Sequence, residues 1–477
     1  MRVLFLAAEA TPLVKVGGLA DVAGELPRAL ARHGVDVQLA LPFYPGLQAE
    51  LAGLRPLATV EVPRPDGAQT ATIYALEVDG RRVWLIGGEP IDAAPAVYGA
   101  PEQDAAKFVF FGIGALQACR ALGWEPEVVH AHDWHAAPSL AWMRTASLGW
   151  DRTSALLTVH NLPYMGAGGD AALAEYGLRP AEDPHLPDWA RRLPLPLGMA
   201  HADWITTVSP SYAAEIQTPA FGCGLEAFLA SRGGRLRGIL NGIDPGVWNP
   251  GADAALERRY AIDSLECRLT NKTALQHIFG WPEHGRTPLL AMITRLDVQK
   301  GVDLVLDALA ALQDVRWQFI LLGRGDPAVE AQAEAFAAAH GDRAAFIPQF
   351  DPFLSRRIYA GADMLLAPSR YEPCGLAQLI GLRYGAVPVV RATGGLRDTV
   401  QPYGREAQGT GFLFDRPDPQ ALAETLRFAI QVHADARRWA GVQRRGMAAD
   451  FSWAASAAEY SDLYLQAAAE RRARSGV

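Results

Sequence analysis

The chain lacks clustered cysteines, a membrane-length apolar run and a basic block, and each absence removes a class of function. Its four cysteines, Cys119, Cys223, Cys267 and Cys374, are scattered with no C-x-x-C spacing. Neither a zinc framework nor a disulfide scaffold is indicated. No apolar stretch approaches the length of a bilayer span. Residues 1–8 are apolar apart from Arg2, but Glu9 interrupts them, and neither a basic n-region nor a small-residue cleavage site accompanies them. They read as a first strand rather than a signal peptide. Net charge is −8 with no long basic run, which argues against a nucleic-acid partner. The short Arg471-Arg472-Ala473-Arg474 tail suits a helix C-terminus. What is present is ordinary globular material: 50% hydrophobic and 20% charged residues, enough for an ample core. A length of 477 residues suggests two large domains or about three smaller ones. A cytoplasmic protein with no membrane partner is the expectation.

The densest local signal lies at 369–400. An apolar run at 362–367 reads as a buried parallel strand. A turn carrying Glu372, Pro373, Cys374 and Gly375 follows, then a helical stretch at 376–384 that stops at Gly385. A second strand at 386–390 leads into Thr393-Gly394-Gly395 and another helix. Two strand-to-helix crossings in series place free backbone N–H groups at helix N-termini, where an anion is favoured. Carboxylates suit sugar hydroxyls and bare amides suit phosphate, so the pairing points to a nucleotide-sugar site. The alternative is that Gly375, Gly394 and Gly395 serve only turns.

The same grammar recurs elsewhere. After the first strand, Lys15-Val16-Gly17-Gly18 opens a helix expected over 19–32, with Asp21 in its first turn. This is an anion cradle in principle, though not a G-x-G-x-x-G fingerprint. Lys15 either reaches a phosphate or is a solvated loop lysine. Short strands are expected at 60–62, 72–76 and 83–86, as a ribbon, and a helix at 108–121. A strand at 128–131 ends in His130-Ala131-His132-Asp133-Trp134-His135. Ligands on one strand alternate faces, so a metal there is disfavoured; none is expected, and His132 is equally readable as a hydrogen-bonded core histidine. A strand at 155–159 ends in His160-Asn161. In open α/β sheets, ligands sit beyond such carboxyl ends. Residues 180–196 are proline-rich and read as irregular, a mobile flap. Asn241-Gly242-Ile243-Asp244 opens a stretch crowded with turn formers, as at a domain boundary. A second βα series starts at 289. Arg295 and Lys300 share one strand-to-helix loop there, and can converge on a pyrophosphate or form a solvated basic loop. Gly323-Arg324-Gly325 is weak alone.

Taken together these stretches resemble the bacterial and plant-type glycogen (starch) synthases, retaining GT-B glycosyltransferases of family 5. The resemblance rests on K-x-G-G-L at Lys15, H-x-D-W-H at His130, T-V-H-N at Thr158, N-G-I-D at Asn241, R-L-x-x-x-K-G at Arg295, E-P-C-G-L at Glu372 and T-G-G-L at Thr393. These motifs run in family order over most of the chain. The fold implied is α/β, GT-B, with two doubly wound Rossmann-like domains facing a central cleft. The boundaries expected are an acceptor-side domain at 1–244, a hinge at 245–251, a donor-binding domain at 252–453, and a C-terminal helix at 454–477 packing back on the N-terminal domain.

The implied reaction is transfer of glucose from ADP-glucose to the non-reducing 4-OH of an α-1,4-glucan such as glycogen, with retention and no cofactor. Lys15, Arg295, Lys300 and the amides of Gly17, Gly18, Thr393 and Gly394 would stabilise the leaving diphosphate. Glu372 would hold glucose hydroxyls. His160, Asn161, Asn241 and Asp133 would orient sugar and acceptor, with Asp21, Cys374, Gly375 and Gly395 lining the site. No nucleophile is evident, so front-face attack is the implied route, and domain closure would exclude water. Three positions depart from many relatives: Val16 in place of Thr, Asp104-Ala105-Ala106-Lys107-Phe108 where Asn-x-x-Arg-Phe is frequent, and Ile380 where the wider group has a ribose-binding Glu, with Gln378 nearby. Other readings are a retaining GT-B transferase with another donor or a sugar-phosphate acceptor, or a silent glucan-binding protein. A phosphorylase is disfavoured because no pyridoxal-phosphate lysine motif is apparent.

Overall fold

A computed structural model describes residues 1–145, 149–404 and 408–474. The chain forms two compact units, Met1–Asn241 with Trp453–Val477, and Gly242–Ser452. The first contains β1 (Arg2–Leu6), β2 (Asp36–Pro42), β3 (Pro56–Arg64), β4 (Gly67–Val78), β5 (Arg81–Gly87), β6 (Val128–His132), β7 (Ser154–Val159), β8 (Trp204–Thr207) and β9 (Leu236–Gly238). They make one sheet in the order β3-β4-β5-β2-β1-β6-β7-β8-β9. The central strands are parallel, and only the β3-β4 and β4-β5 pairs run antiparallel.

Sequence and position agree closely here. β6 and β7 are buried at every residue, because helices cover both faces of a parallel sheet. β4 is buried only at alternate positions, Ala71 and Ile73, as a half-solvated hairpin strand must be. The ribbon is therefore longer than the short apolar windows at 60–62, 72–76 and 83–86. Its polar outward residues hid the rest.

The helix Trp453–Arg474 belongs to the first unit. Trp453, Tyr460, Leu463 and Tyr464 are buried in that unit's core. A buried chain of polar contacts pins it: Tyr464 to His130 Nδ1 at 2.7 Å, His130 Nε2 to Thr158 at 2.6 Å, and Thr158 to Thr206 at 2.6 Å. His130 is thus a core histidine. The proline-rich stretch at 180–196 is more regular than expected. It holds a short 3-10 turn, Asp188–Ala190, and the start of a helix, Pro194–His201.

The second unit holds β10 (Leu289–Ile293), β11 (Gln318–Leu322), β12 (Ala344–Ile347), β13 (Met364–Ala367), β14 (Val387–Arg391) and β15 (Phe412–Phe414). The order is β12-β11-β10-β13-β14-β15, all parallel. Alternation along the strands serves two cores. Leu290, Met292, Phe319 and Leu321 pack with the helices Val302–Ala311 and Pro419–His433. Leu289, Ala291, Ile320 and Leu322 pack with Leu275 and Ile358 on the other face. Residues 245–251 lie in this second unit, where Trp248 stacks under Arg356, 4.5 Å from its ring centre, and meets Tyr359 and Tyr384. Three helices start with the same pair, an aspartate cap followed by proline: Asp326-Pro327, Asp351-Pro352 and Asp418-Pro419. The carboxylate satisfies orphan N–H groups, and proline's fixed φ suits the first turn.

A buried ion pair ties the sheet's other edge. Lys272 Nζ lies 2.6 Å from Asp363 Oδ2, which also accepts from the Leu289 N–H at 2.8 Å. Burial would push the Asp363 carboxyl up, but Lys272 and His433 override it and hold it well below the ordinary carboxylate range. The stability this contributes is complete above the unfolded pKa of about 3.9 and is lost as pH falls below it. Lys272→Ala strands a buried charge and is expected to cost about 3–5 kcal/mol, with acid unfolding displaced to higher pH; urea melts from pH 3 to 7 measure both.

Candidate active site

A parallel sheet offers a crevice where its strand order reverses. In the first unit the reversal lies between β1 and β6, and in the second between β10 and β13. Lys15, Asp133, Arg295, Lys300 and Glu372 follow the strands at these reversals, His160 and Thr393 follow the neighbouring strands β7 and β14, and Asn241 follows the edge strand β9.

In the first unit, the loop after β1 leads through Lys15 to the helix Gly18–Ala31. Lys15 Nζ pairs with Asp21 Oδ1 at 2.6 Å, both partly exposed. Gly18 is exposed at the first helical position. Gly17 is the N-cap, but its N–H and that of Val16 both donate to Glu9 Oε2, at 2.9 and 2.5 Å. Part of the expected amide cradle is therefore occupied by the chain's own carboxylate. The apolar-run reading treated Glu9 only as an interruption. Its position at the carboxyl end of the first strand was the signal available.

The β6 and β7 ends bring the sequence-predicted residues together. His132 Nδ1 meets His160 Nε2 at 2.8 Å, and the His160 N–H donates to Asp133 Oδ1 at 2.7 Å. Asp133 has φ of 53°, a left-handed conformation rare outside glycine and Asn/Asp. Burial pushes its carboxyl up to about 7, against the His160 and Asn161 N–H groups, which favour the charged form. Burial likewise pushes His160 down to about 3 and His132 well below its ordinary value, with His130 and His160 adding to the effect on His132. These imidazoles are neutral at pH 7. Asn161 Oδ1, Asn241 Oδ1, His132 Nε2 and His135 Nδ1 are buried without a hydrogen-bond partner among the described residues. Such groups cost free energy unless something else satisfies them. Among the described residues no cluster of three His, Cys, Asp or Glu is placed to hold a metal ion.

In the second unit the loops after β10 and β13 interlock. Asp297 caps the turn Val298–Lys300 by accepting the Lys300 N–H at 3.1 Å, and its other oxygen pairs with Arg295 at 3.3 Å. Lys300 Nζ reaches Glu372 Oε2 at 2.6 Å, and Ser369 Oγ donates to the same oxygen at 2.9 Å. Arg391, buried on β14, braces this loop through the carbonyls of Ser369, at 2.8 Å, and Arg370. Arg370 in turn grips Asp303 with both terminal nitrogens, at 2.9 and 2.6 Å. Sequence reasoning missed Ser369, and it missed Arg391 and the Arg370–Asp303 pair, whose partners are distant in the chain.

The glycines have steric reasons. A Cβ on Gly394 would lie 1.9 Å from the Glu372 carbonyl, and one on Gly395 2.2 Å from the Cys374 carbonyl. The Gly395 N–H donates to that Glu372 carbonyl at 3.0 Å. The Thr393 N–H donates to the Arg391 carbonyl at 2.9 Å, so it too has an internal acceptor. Gly375 has φ of 77° and Cys374 is buried. Gln378 Nε2 caps both their carbonyls at 3.0 Å, and Ile380 lies in an apolar cluster with Leu379 and Tyr384. Neither Gln378 nor Ile380 takes the place of a ribose-binding carboxylate. Phe350, 58% exposed just beyond β12, offers a flat apolar face on the same sheet edge.

The Asp133 shift has a measurable consequence. With a folded pKa of about 7 against an unfolded value near 3.9, the native state binds this proton more tightly. Its stabilising contribution is complete below about pH 4 and lost as pH rises through about 7. Relative to Asp133→Asn, which keeps an acceptor oxygen, the wild type should lose thermal stability over that window; parallel melts at pH 5 and pH 8 check it.

Comparison with known proteins extends this geometry. Residues 2–231 match the starch synthase catalytic domain family, and residues 276–443 match glycosyl transferases group 1. The glycogen synthase of Syntrophotalea carbinolica is 40% identical over 98% of this chain and 99% of its own. Glycogen synthase 2 of Geobacter sulfurreducens is 39% identical over 99% and 100%. Among solved structures, the catalytic domain of starch synthase IV from Arabidopsis thaliana, bound to ADP and acarbose, superposes with a TM-score of 0.90 at 32% identity, covering 98% of this chain and 99% of that one. A sucrose-phosphate synthase from Thermosynechococcus elongatus, at 21% identity and a TM-score of 0.64 over 98% of each chain, shares the fold. The similarity runs nearly end to end, and the chain belongs to the bacterial and plant glycogen/starch synthase family of GT-B glycosyltransferases.

Proposed function

We propose that this protein is a glycogen synthase that transfers glucose from ADP-glucose to the non-reducing 4-OH of an α-1,4-glucan with retention of configuration. The observation that carries this reading is the Lys300–Glu372 pair at the β10/β13 reversal, beside the turn Thr393–Gly395. It supplies a cation for a leaving diphosphate and a carboxylate for sugar hydroxyls in one place. The named glycogen synthases and the ADP- and acarbose-bound starch synthase support the same donor and acceptor classes.

The chemistry asks for stabilisation of charge on the departing diphosphate more than for a nucleophile. Lys15, Arg295 and Lys300 each hold a carboxylate partner, Asp21, Asp297 and Glu372. A diphosphate, with more charge and more acceptor oxygens, competes with those partners for the cations. Both hydrogen bonds to the Glu372 carboxylate among the described residues fall on Oε2, which leaves Oε1 to accept from glucose. Phe350 offers a surface against which a nucleobase can lie. In the first unit, neutral His160 with Asn161, Asn241 and Asp133 orients sugar and acceptor. No helix among the described residues is long and apolar enough to cross a membrane, and all four cysteines are free, which fits a cytoplasmic enzyme.

The deciding experiment is glucose transfer to a glycogen primer, with ADP-glucose and UDP-glucose side by side under chelator. ADP-glucose is expected to be preferred, with α-1,4 product and no loss on chelation. Preference for UDP-glucose would overturn the donor assignment, and activity restored by added metal would reopen a metal role for the histidine run. Lys300→Ala should lower kcat by about 10²–10³ with glucan binding intact. Glu372→Gln should retain ADP binding by calorimetry while losing transfer; near-normal transfer would remove it from the sugar site.

A further inference from the structure

We propose that Glu9 is a positioning residue for donor binding, its carboxylate serving as the internal anion that sets the shape of the Lys15–Gly18 loop. The proposal rests on the donor role assigned to that loop above. Glu9 lies just past the carboxyl end of β1 and is 2% exposed. A buried carboxylate is costly unless fully hydrogen-bonded, and this one is bonded at both oxygens. Oε2 accepts the Val16 and Gly17 N–H groups at 2.5 and 2.9 Å, and Oε1 accepts the Tyr98 hydroxyl at 3.0 Å. With both oxygens engaged by the protein, Glu9 acts through the loop rather than on substrate.

The carboxylate is itself held from behind. Lys107, fully buried on the helix Pro101–Ala121, donates to the carbonyls of Ala96 and Val97 at 2.9 and 3.0 Å and to Asp104 Oδ1 at 2.7 Å. Asp104 Oδ2 accepts the Gly99 N–H at 2.7 Å. A buried ion pair thus fixes the turn that presents Tyr98, Tyr98 fixes Glu9, and Glu9 fixes the two amides next to Lys15. Every contact to the loop is through backbone, and the Val16 side chain is 55% exposed. The loop's shape is therefore independent of the side chain at position 16. The Asp104–Lys107 pair holds the turn that carries Tyr98.

Glutamine can reproduce the arrangement. Its oxygen can take both amides and its NH₂ can donate to the tyrosine oxygen. The test is steady-state kinetics of the full-length protein with ADP-glucose and glycogen for Glu9→Ala, Glu9→Gln, Tyr98→Phe and Lys15→Ala, alongside thermal melts. Glu9→Ala is expected to raise the ADP-glucose KM about tenfold, a loss of about 1.4 kcal/mol, with glycogen KM unchanged. Glu9→Gln should stay near wild type, and Tyr98→Phe should show a smaller rise in the same direction. A wild-type donor KM in Glu9→Ala, or a kcat loss in Glu9→Gln, overturns the proposal. Should Glu9→Ala fail to fold, an unchanged donor KM in Tyr98→Phe overturns it instead. Lys15→Ala separates the two layers: an unchanged donor KM there overturns the donor role of the loop, whereas a raised one beside an unaffected Glu9→Ala overturns only the role of Glu9.

Discussion

A parallel sheet covered on both faces leaves one place where backbone and side chains can meet a ligand, the carboxyl edge at which neighbouring crossovers depart to opposite sides. Both units of this chain obey that constraint, at β1/β6 and at β10/β13. The rest of the site follows from it. Loops that leave adjacent strands at this edge pass within backbone contact of one another, and glycine is required where they do. Gly394 and Gly395 are the clearest case, with carbonyls of Glu372 and Cys374 where any Cβ would stand. Their role is to let one loop close on another, which in turn places the Glu372 carboxylate.

Charge at these edges is arranged in local pairs. Lys15 with Asp21, Arg295 with Asp297 and Lys300 with Glu372 keep each cation beside a carboxylate. The Lys15–Asp21 and Arg295–Asp297 pairs are partly exposed and contribute little to stability, so those cations can exchange partners at modest cost, whereas Glu372 is buried beside Lys300. Buried pairs behave differently. Lys107–Asp104 and Lys272–Asp363 are sealed in their units, where removal of one partner strands the other.

The histidine run shows the same division. His130 is locked into a buried chain that ends on Tyr464 of the C-terminal helix, whereas His132 and His160 face one another at the sheet edge beside Asp133. Three histidines within six residues invite a metal reading, and His130 and His132 share a face of β6 with ring centres 4.0 Å apart, yet their hydrogen bonds divide them, His130 to Tyr464 and Thr158 and His132 to His160.

Much of this was legible in the order of residues. Continuous apolar runs marked the parallel strands, and the strand ends and turns after them marked the edges where Lys15, His160, Lys300 and Glu372 lie, because strand and turn propensity are local properties. What tertiary structure alone decided is which polar groups share a partner. Glu9 and Gly17 are eight residues apart, but Tyr98 reaches Glu9 across 89 positions, Lys300 reaches Glu372 across 72, and His130 meets Tyr464 across 334. Local pattern has no term for such distances. They are set by strand order and crossover packing, so the sequence by itself determined the strands, the turns and the residue types at the sheet edges. The fold decided which carboxylate occupies which amides, because that depends on atoms brought together only when the sheets close.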